Sequence, residues 1–445
     1  MATLDHVTLP PSVKPPLDMG VRLRLSVMMF LQFAVWGSWF TVFNIYCATP
    51  KPDGGLGFTG TQIGSLYGTM ALGAIISTMF AGQLADRVLS SEYLMAIFHL
   101  AGAVLLYLMA QIHSYDALWW TALAYALLYN PTLAISNSLA FHNVPDATRD
   151  FPTLRVLGTI GWIAVGFAVG YLLPGNANQT NKPLLLAAAL SALLGLFSLA
   201  LPHTPPTGKK GEAVPFLRAI KLLADPSFGV FFAVSFVITI ALAFYYGFAG
   251  TFLKELDVHP KPEVTQTFGQ MSEIFFMLLL PFALKRFGMK GVLTVGMAAW
   301  AVRYGLFSLM HPLFLVIIGV VLHGVCFDFF LAAGFIHTDN KAPVAIRGSA
   351  QALFSFLTYG LGMWIGNEIS GRVVDRFTIG GVKHWSSIWA VPAVGATICL
   401  VLFILLWRDK PGKVEDVEHR GFPVDPIAET AASPAKPDEV SQTIA

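Results

Sequence analysis

Long apolar stretches alternate with short polar ones along the whole chain. The apolar stretches reach the roughly 20 residues that a helix needs to cross about 30 Å of hydrocarbon. Twelve can be read: 23–47, 61–82, 92–112, 116–141, 154–173, 184–202, 227–254, 265–284, 290–310, 312–336, 346–371 and 386–407. Each is predicted to be a helix, because a helix satisfies its own backbone hydrogen bonds and lipid cannot do so for it. The longest internal polar segment, 203–226, holds Pro205, Pro206, Lys209 and Lys210 and divides six spans from six. The stretch after Arg408 is rich in Pro, Glu, Asp, Ser and Ala and reads as disordered. The expected organisation is an N-terminal segment 1–22, a six-helix bundle 23–202, a central loop 203–226, a second six-helix bundle 227–407 and a tail 408–445.

Composition strengthens this picture. Of 445 residues, 55% are hydrophobic and 12% charged, whereas soluble domains carry roughly a quarter charged residues. The expected class is therefore an all-α membrane protein of two six-helix halves. A net charge of +2 argues against a nucleic-acid partner. Cys47, Cys326 and Cys399 all lie in apolar stretches without disulfide or metal spacing and read as small apolar fillers. The first 20 residues, with Pro10, Pro11, Pro15 and Pro16, lack a signal-peptide pattern, so the first span is expected to direct insertion. With both termini cytoplasmic, about 20 of the 28 Lys and Arg fall on cytoplasmic segments, and only the reverse orientation violates the positive-inside rule. No Walker loop, paired-cysteine metal signature or Gly-x-Ser-x-Gly occurs, so no enzyme, cofactor or metal is expected and nothing points to ATP-driven pumping. Asn178-Gln179-Thr180 matches a glycosylation acceptor only weakly.

The two halves echo one another. Gly82-Gln83-Leu84-Ala85-Asp86-Arg87 follows the second span and Leu284-Lys285-Arg286-Phe287-Gly288-Met289-Lys290 follows the eighth. The first resembles the G-x-L-A-D-R loop of the major facilitator superfamily, which implies a conformational motif at Gly82, Asp86 and Arg87. That superfamily's architecture is two halves rocking around a midplane site.

A charge at the centre of a span costs on the order of 2.5–3.5 kcal/mol, so it usually faces a partner or a water-filled cavity. Six residues stand out: Arg155, Glu273, Arg303, His323, Asp328 and Glu368. Arg155, Thr159 and Trp162 follow at spacings of 4 and 3 and share one helical face, suited either to a polar ring-bearing ligand or to snorkelling and packing. Gln270 and Glu273 share a face of the eighth span, ahead of a wholly apolar run from Ile274 to Phe282. Glu273 can therefore exchange a proton or form a fixed bridge to Arg303. His323 and Phe327 are i, i+4 neighbours able to touch one ligand. Asp328 points about 140° away from His323, toward a neighbouring helix or a proton path. Glu368, beside Asn367 and before Arg372, reads as a surface or gate pair. Trp36, Trp39, Tyr245 and Tyr246 can stack on a ring or pack between helices.

Five segments together resemble the nucleoside:proton symporter family: Gln32 to Trp39, Asn130-Pro131-Thr132, Asp150 to Trp162, Gln270 to Glu273 and Phe327-Asp328-Phe329; Leu242 to Tyr246, Glu273 to Met277 and Leu322 to Val325 resemble its YegT-like branch. The resemblance implies that Arg155, Thr159, Gln270, Glu273 and Phe327 hold the ligand and that Glu273 and Asp328 carry the proton linkage. Where the family has a Phe, this chain has Trp162, and where it has a Tyr, His323. Two amides of the family's seventh span are Ala243 and Tyr246 here, a change able to alter substrate choice. The expectation is a monomeric, proton-coupled importer of nucleosides or nucleoside-like small polar molecules in a cell (inner) membrane. Its partners are then a small-molecule substrate, protons and lipid, with Trp162, Tyr246, His323 and Phe327 against the ligand. A sugar or glycoside symporter, or a non-transporting sensor on the same fold, remains the alternative.

Overall fold

A computed structural model describes residues 15–77, 89–206, 215–343 and 346–408. Twelve long helices account for most of these residues. In the first half they are α1 (Met19–Ala48), α2 (Gly60–Ser77), α3 (Ser91–Gln111), α4 (Tyr115–Asn143), α5 (Ala147–Phe167) and α6 (Lys182–Ser198). In the second half they are α7 (Pro226–Glu255), α8 (262–287), α9 (289–309), α10 (Leu313–Lys341), α11 (347–376) and α12 (Trp385–Leu406). A sharp turn separates α8 from α9 at Gly288, whose φ of 66° lies in the left-handed region that glycine enters freely. The echoed basic turn of the sequence therefore falls at Gly288. Its counterpart, with Gly82, Asp86 and Arg87, lies outside the described residues, as do most of segment 1–22, residues 207–214 of the central segment and nearly all of the tail.

Composition explains why some helices look like membrane spans and others less so. Among the described residues, seven stretches have the length and apolarity of a spanning helix, the α8–α9 pair counting as one. Helices α4 and α11 are not among them, and both line the space between the halves. Helix α4 carries Asn130, Thr132, Ser136 and Asn137 on its buried side, and α11 carries Thr358, Asn367 and Ser370. Large apolar side chains cover the outer surface instead, among them Phe275 and Phe282 of α8 and Leu402 and Leu405 of α12. That surface is the one a bilayer would cover.

In the first half α1 packs on α5, α3 on α6 and α2 on α4; in the second, α12 packs on α7 and on the α8–α9 pair. The halves meet along α2–α11 and α5–α8. Polar links between them cluster at one end, the end with the 48–60, 173–182 and 376–384 connections. There Asp375 of α11 accepts from the backbone N–H groups of Gly60 (2.6 Å) and Thr61 (2.8 Å) and from the Thr61 hydroxyl (2.6 Å). One carboxylate thus caps the first turn of a helix in the opposite half, where unpaired N–H groups attract negative charge. Asn44 donates to the Tyr246 carbonyl and accepts from the Thr251 N–H at 2.9 Å. Lys261 donates to the carbonyl of Gly170, and Asn178 donates to Glu263 at 2.8 Å. Buried in that contact, Asn178 is a fixed partner of Glu263, not an accessible glycosylation acceptor. Gly64 and Gly371 abut the Asn367 and Gly60 carbonyls so closely that a Cβ would clash, which lets α2 and α11 seal this end.

Candidate functional site

Below the sealed end lies a cavity of about 420 Å³ between the halves. Its volume falls within the roughly 300–1,000 Å³ of small-molecule sites. The lining runs from Tyr67 and Asn367 near the sealed end to Pro152 and Pro281 near the other.

The first half contributes a cation and a wall of rings. Arg155, Thr159 and Trp162 of α5 all face the cavity, as their spacing predicts. The Arg155 guanidinium lies 4.0 Å from the centre of the Phe33 ring, a cation–π distance. Trp162 meets Trp36 edge-on at 5.3 Å, and Trp36 continues to Phe40 and Tyr129. Phe40 then contacts Tyr246 of α7 at 5.6 Å, carrying the aromatic wall across into the second half.

The second half contributes amides and carboxylates. Gln270 and Glu273 of α8, Phe327 and Asp328 of α10 and Asn367 of α11 line the cavity. Neither carboxylate oxygen of Asp328 has a hydrogen-bond partner among the described residues, and the same holds for Gln270 Oε1 and Asn367 Oδ1. Buried polar groups are nearly always paired, so unpaired acceptors on residues that line one cavity mark it as the candidate site.

His323 differs from its expected place. It is absent from the cavity wall and fully buried behind it. Its ring stacks on Tyr245 at 5.1 Å. Nδ1 lies 2.7 Å from Nη1 of Arg303, and Nε2 lies 2.8 Å from Oε1 of Glu273, a contact of ion-pair length whose angle falls short of a good hydrogen bond. An arginine only donates, so Nδ1 must accept; the ring proton then sits on Nε2, facing Glu273. A direct Glu273–Arg303 bridge is thus replaced by a relay, Arg303 to His323 to Glu273. Arg303 is itself fully buried, its guanidinium 3.7 Å from the centre of the Tyr245 ring. The Gly324 N–H donates to the Ser272 hydroxyl at 3.0 Å and holds α10 against α8 at this level.

Asp328 also differs from a simple helical wheel. Residues Phe327–Ala332 form a π-helical turn, and such turns widen the helix locally and recur at functional sites. Phe327 and Asp328 therefore both reach the cavity while His323, one turn earlier, faces α8 and α9. Ala243 is likewise outside the wall, fully buried against α11. Glu368 pairs loosely with Arg372 at 3.7 Å, in keeping with a peripheral pair. Residues the sequence reading did not connect to a site include Tyr67, Tyr359 and Met363; they carry no charge and fall on no periodic signal.

A family model described as nucleoside H+ symporter matches residues 19–411. YegT of Escherichia coli is 40% identical over 90% of this chain and 97% of its own length. Xanthosine permease of Escherichia coli is 32% identical over 90% of this chain and 99% of its own. The crystal structure of the nucleoside transporter NupG superposes with a TM-score of 0.80 at 30% identity, covering 88% of this chain and 100% of that one. The chain belongs to the nucleoside H+ symporter family, and it is a multi-pass membrane transporter rather than an enzyme.

Proposed function

We propose that this protein imports nucleosides together with protons across a cell (inner) membrane, with both termini cytoplasmic and a monomer as the working unit. The moving bodies in this reading are residues 23–202 and 227–407. One observation carries it: the cavity between the halves opposes a cation and a wall of rings to two carboxylates and unpaired amides. A nucleoside offers a flat base for the rings and a donor- and acceptor-rich sugar for the polar side. Relatives named xanthosine permease and nucleoside permease support the same substrate class.

In this account Arg155, Thr159 and Gln270 hydrogen-bond the substrate, while Trp162, Tyr246 and Phe327 pack on it. Glu273 and Asp328 take up and release the proton, and His323 positions Glu273 from behind. Coupling requires that protonation and substrate shift the same equilibrium between the state sealed by Asp375 and its opposite. With both termini cytoplasmic, the sealed end faces outward and the cavity belongs to an inward-facing state. Purified protein in proteoliposomes is expected to accumulate labelled uridine or adenosine under an inward proton gradient, and free sugars in excess are expected not to compete. Absence of accumulation, or competition by sugars, overturns the nucleoside assignment.

A further inference from the structure

Asn367 stands at the sealed end of the cavity. Its side chain is 1% exposed and lines the cavity, yet Oδ1 has no hydrogen-bond partner among the described residues. Other buried amide oxygens also lack a partner, Gln270 Oε1 on the same cavity among them, while Asn44 and Asn130 are held. Asn44 bonds to Tyr67, Tyr246 and Thr251, and Asn130 Nδ2 donates to the carbonyls of Met70 and Ala126. An acceptor buried without a partner is destabilising unless something arrives to fill it.

The packing around it explains how the amide comes to be there. A Cβ on the preceding residue, Gly366, would sit 2.7 Å from Cβ of Ala243 and 2.8 Å from Cα of Ile240. Two small residues therefore let α11 lie directly on α7. A Cβ on Gly247, one turn along α7, would lie 3.6 Å from Asn367 Oδ1, so α7 offers the amide space there and no donor. Ala243, sealed into this contact, cannot read a ligand, whereas Asn367, the residue after Gly366 on α11, is among those that line the cavity.

We propose that Asn367 is a specificity-determining residue whose carboxamide recognises an adjacent donor–acceptor pair on the nucleoside, either the vicinal hydroxyls of the sugar or the amide edge of the base. A carboxamide offers one donor side and one acceptor side, which matches such a pair and not an isolated apolar edge. A site built to hydrogen-bond a group discriminates strongly against ligands that lack it. The inference rests on the nucleoside reading given above.

The test is equilibrium binding to purified protein in detergent, without a gradient, for uridine, adenosine, their 2′- and 3′-deoxy analogues and base-modified analogues. Asn367→Ala is expected to weaken the parent nucleosides by about tenfold, while analogues lacking the recognised group bind both proteins alike. Equal binding of deoxy analogues assigns the sugar; equal binding of base-modified analogues assigns the base edge. Because the Asn367 backbone carbonyl abuts Gly64, Asn367→Ser is made beside it; it keeps a hydroxyl and is expected to retain part of the discrimination. A parallel loss across the whole panel, or no loss, overturns the role of Asn367 while leaving nucleoside binding intact. Failure of the unmutated protein to bind any nucleoside overturns both.

Discussion

A buried histidine in each half, His99 in the first and His323 in the second, is held by opposite means. His99 of α3 sits in a neutral cage: Nε2 lies 2.9 Å from Gln32 Oε1, Nδ1 lies 3.3 Å from the Ser191 hydroxyl, and Gln32 passes the network on to Thr132 at 2.7 Å. His323 of α10 sits between a guanidinium and a carboxylate. The first arrangement pairs every polar group with another uncharged one and needs no proton to move. The second places a buried cation two bonds' reach from a carboxylate that lines the cavity. The surroundings of His99 thus hold no charge, whereas those of His323 set a buried cation against a carboxylate. Both half-sites meet at one cavity, but only one carries the carboxylates.

The contrast is broken most directly at Arg303. Removing one member of a buried charge set leaves the others uncompensated, at a cost of about 3–5 kcal/mol. Arg303→Met is therefore expected to lower the thermal midpoint of the purified protein sharply and to abolish uptake; an unchanged midpoint would show that the relay holds no charge in place. Next in size is the seal between the halves. Asp375→Ala removes three hydrogen bonds to one charged acceptor, and a loss of about 2 kcal/mol shifts the two-state equilibrium roughly 30-fold. Spin labels placed across the α2–α11 end should report a large gain in the separated population, and an unmoved distance distribution contradicts the latch.

Smaller effects sharpen the comparison of the histidines. Glutamine in place of His323 can still accept from Arg303 and donate toward Glu273. His323→Gln is therefore expected to keep accumulation within about tenfold of the unmutated protein. Total loss of accumulation with normal folding would show that the His323 ring itself carries a proton. His99→Gln, whose neighbours are all neutral, is expected to change accumulation by no more than about twofold and the thermal midpoint only slightly. A loss as large as that at His323 would erase the distinction between the halves.

The sequence shows these differences unevenly. The spans were legible because hydrocarbon demands long apolar runs, and Arg155, Thr159 and Trp162 were legible because a regular helix keeps its 3.6-residue period through α5. The separation of Asp328 from His323 was legible too, but not that Phe327 and Asp328 share the cavity wall at the π-helical turn from Phe327 to Ala332. The rule failed at His323, because the wheel shows which residues share a face but not which neighbouring helix that face meets. The seal was illegible for a different reason: Asp375 and Gly60 are 315 positions apart, and neither carries a local signal. Asn367 was noticed only as a neighbour of Glu368, since a single amide in an apolar run looks alike whether it is packed, paired or waiting for a ligand.

The account's central claim is that the second half couples a proton to nucleoside movement through Glu273. It is tested by comparing two assays of Glu273→Gln in the same proteoliposomes. Exchange of labelled for unlabelled uridine needs the site and its motion but no net proton flux, whereas accumulation against a gradient needs the proton. The expected result is exchange retained within about threefold of the unmutated protein, with accumulation reduced to the level seen without a proton gradient. Accumulation at the unmutated level would contradict the claim and make Glu273 a purely structural partner of His323.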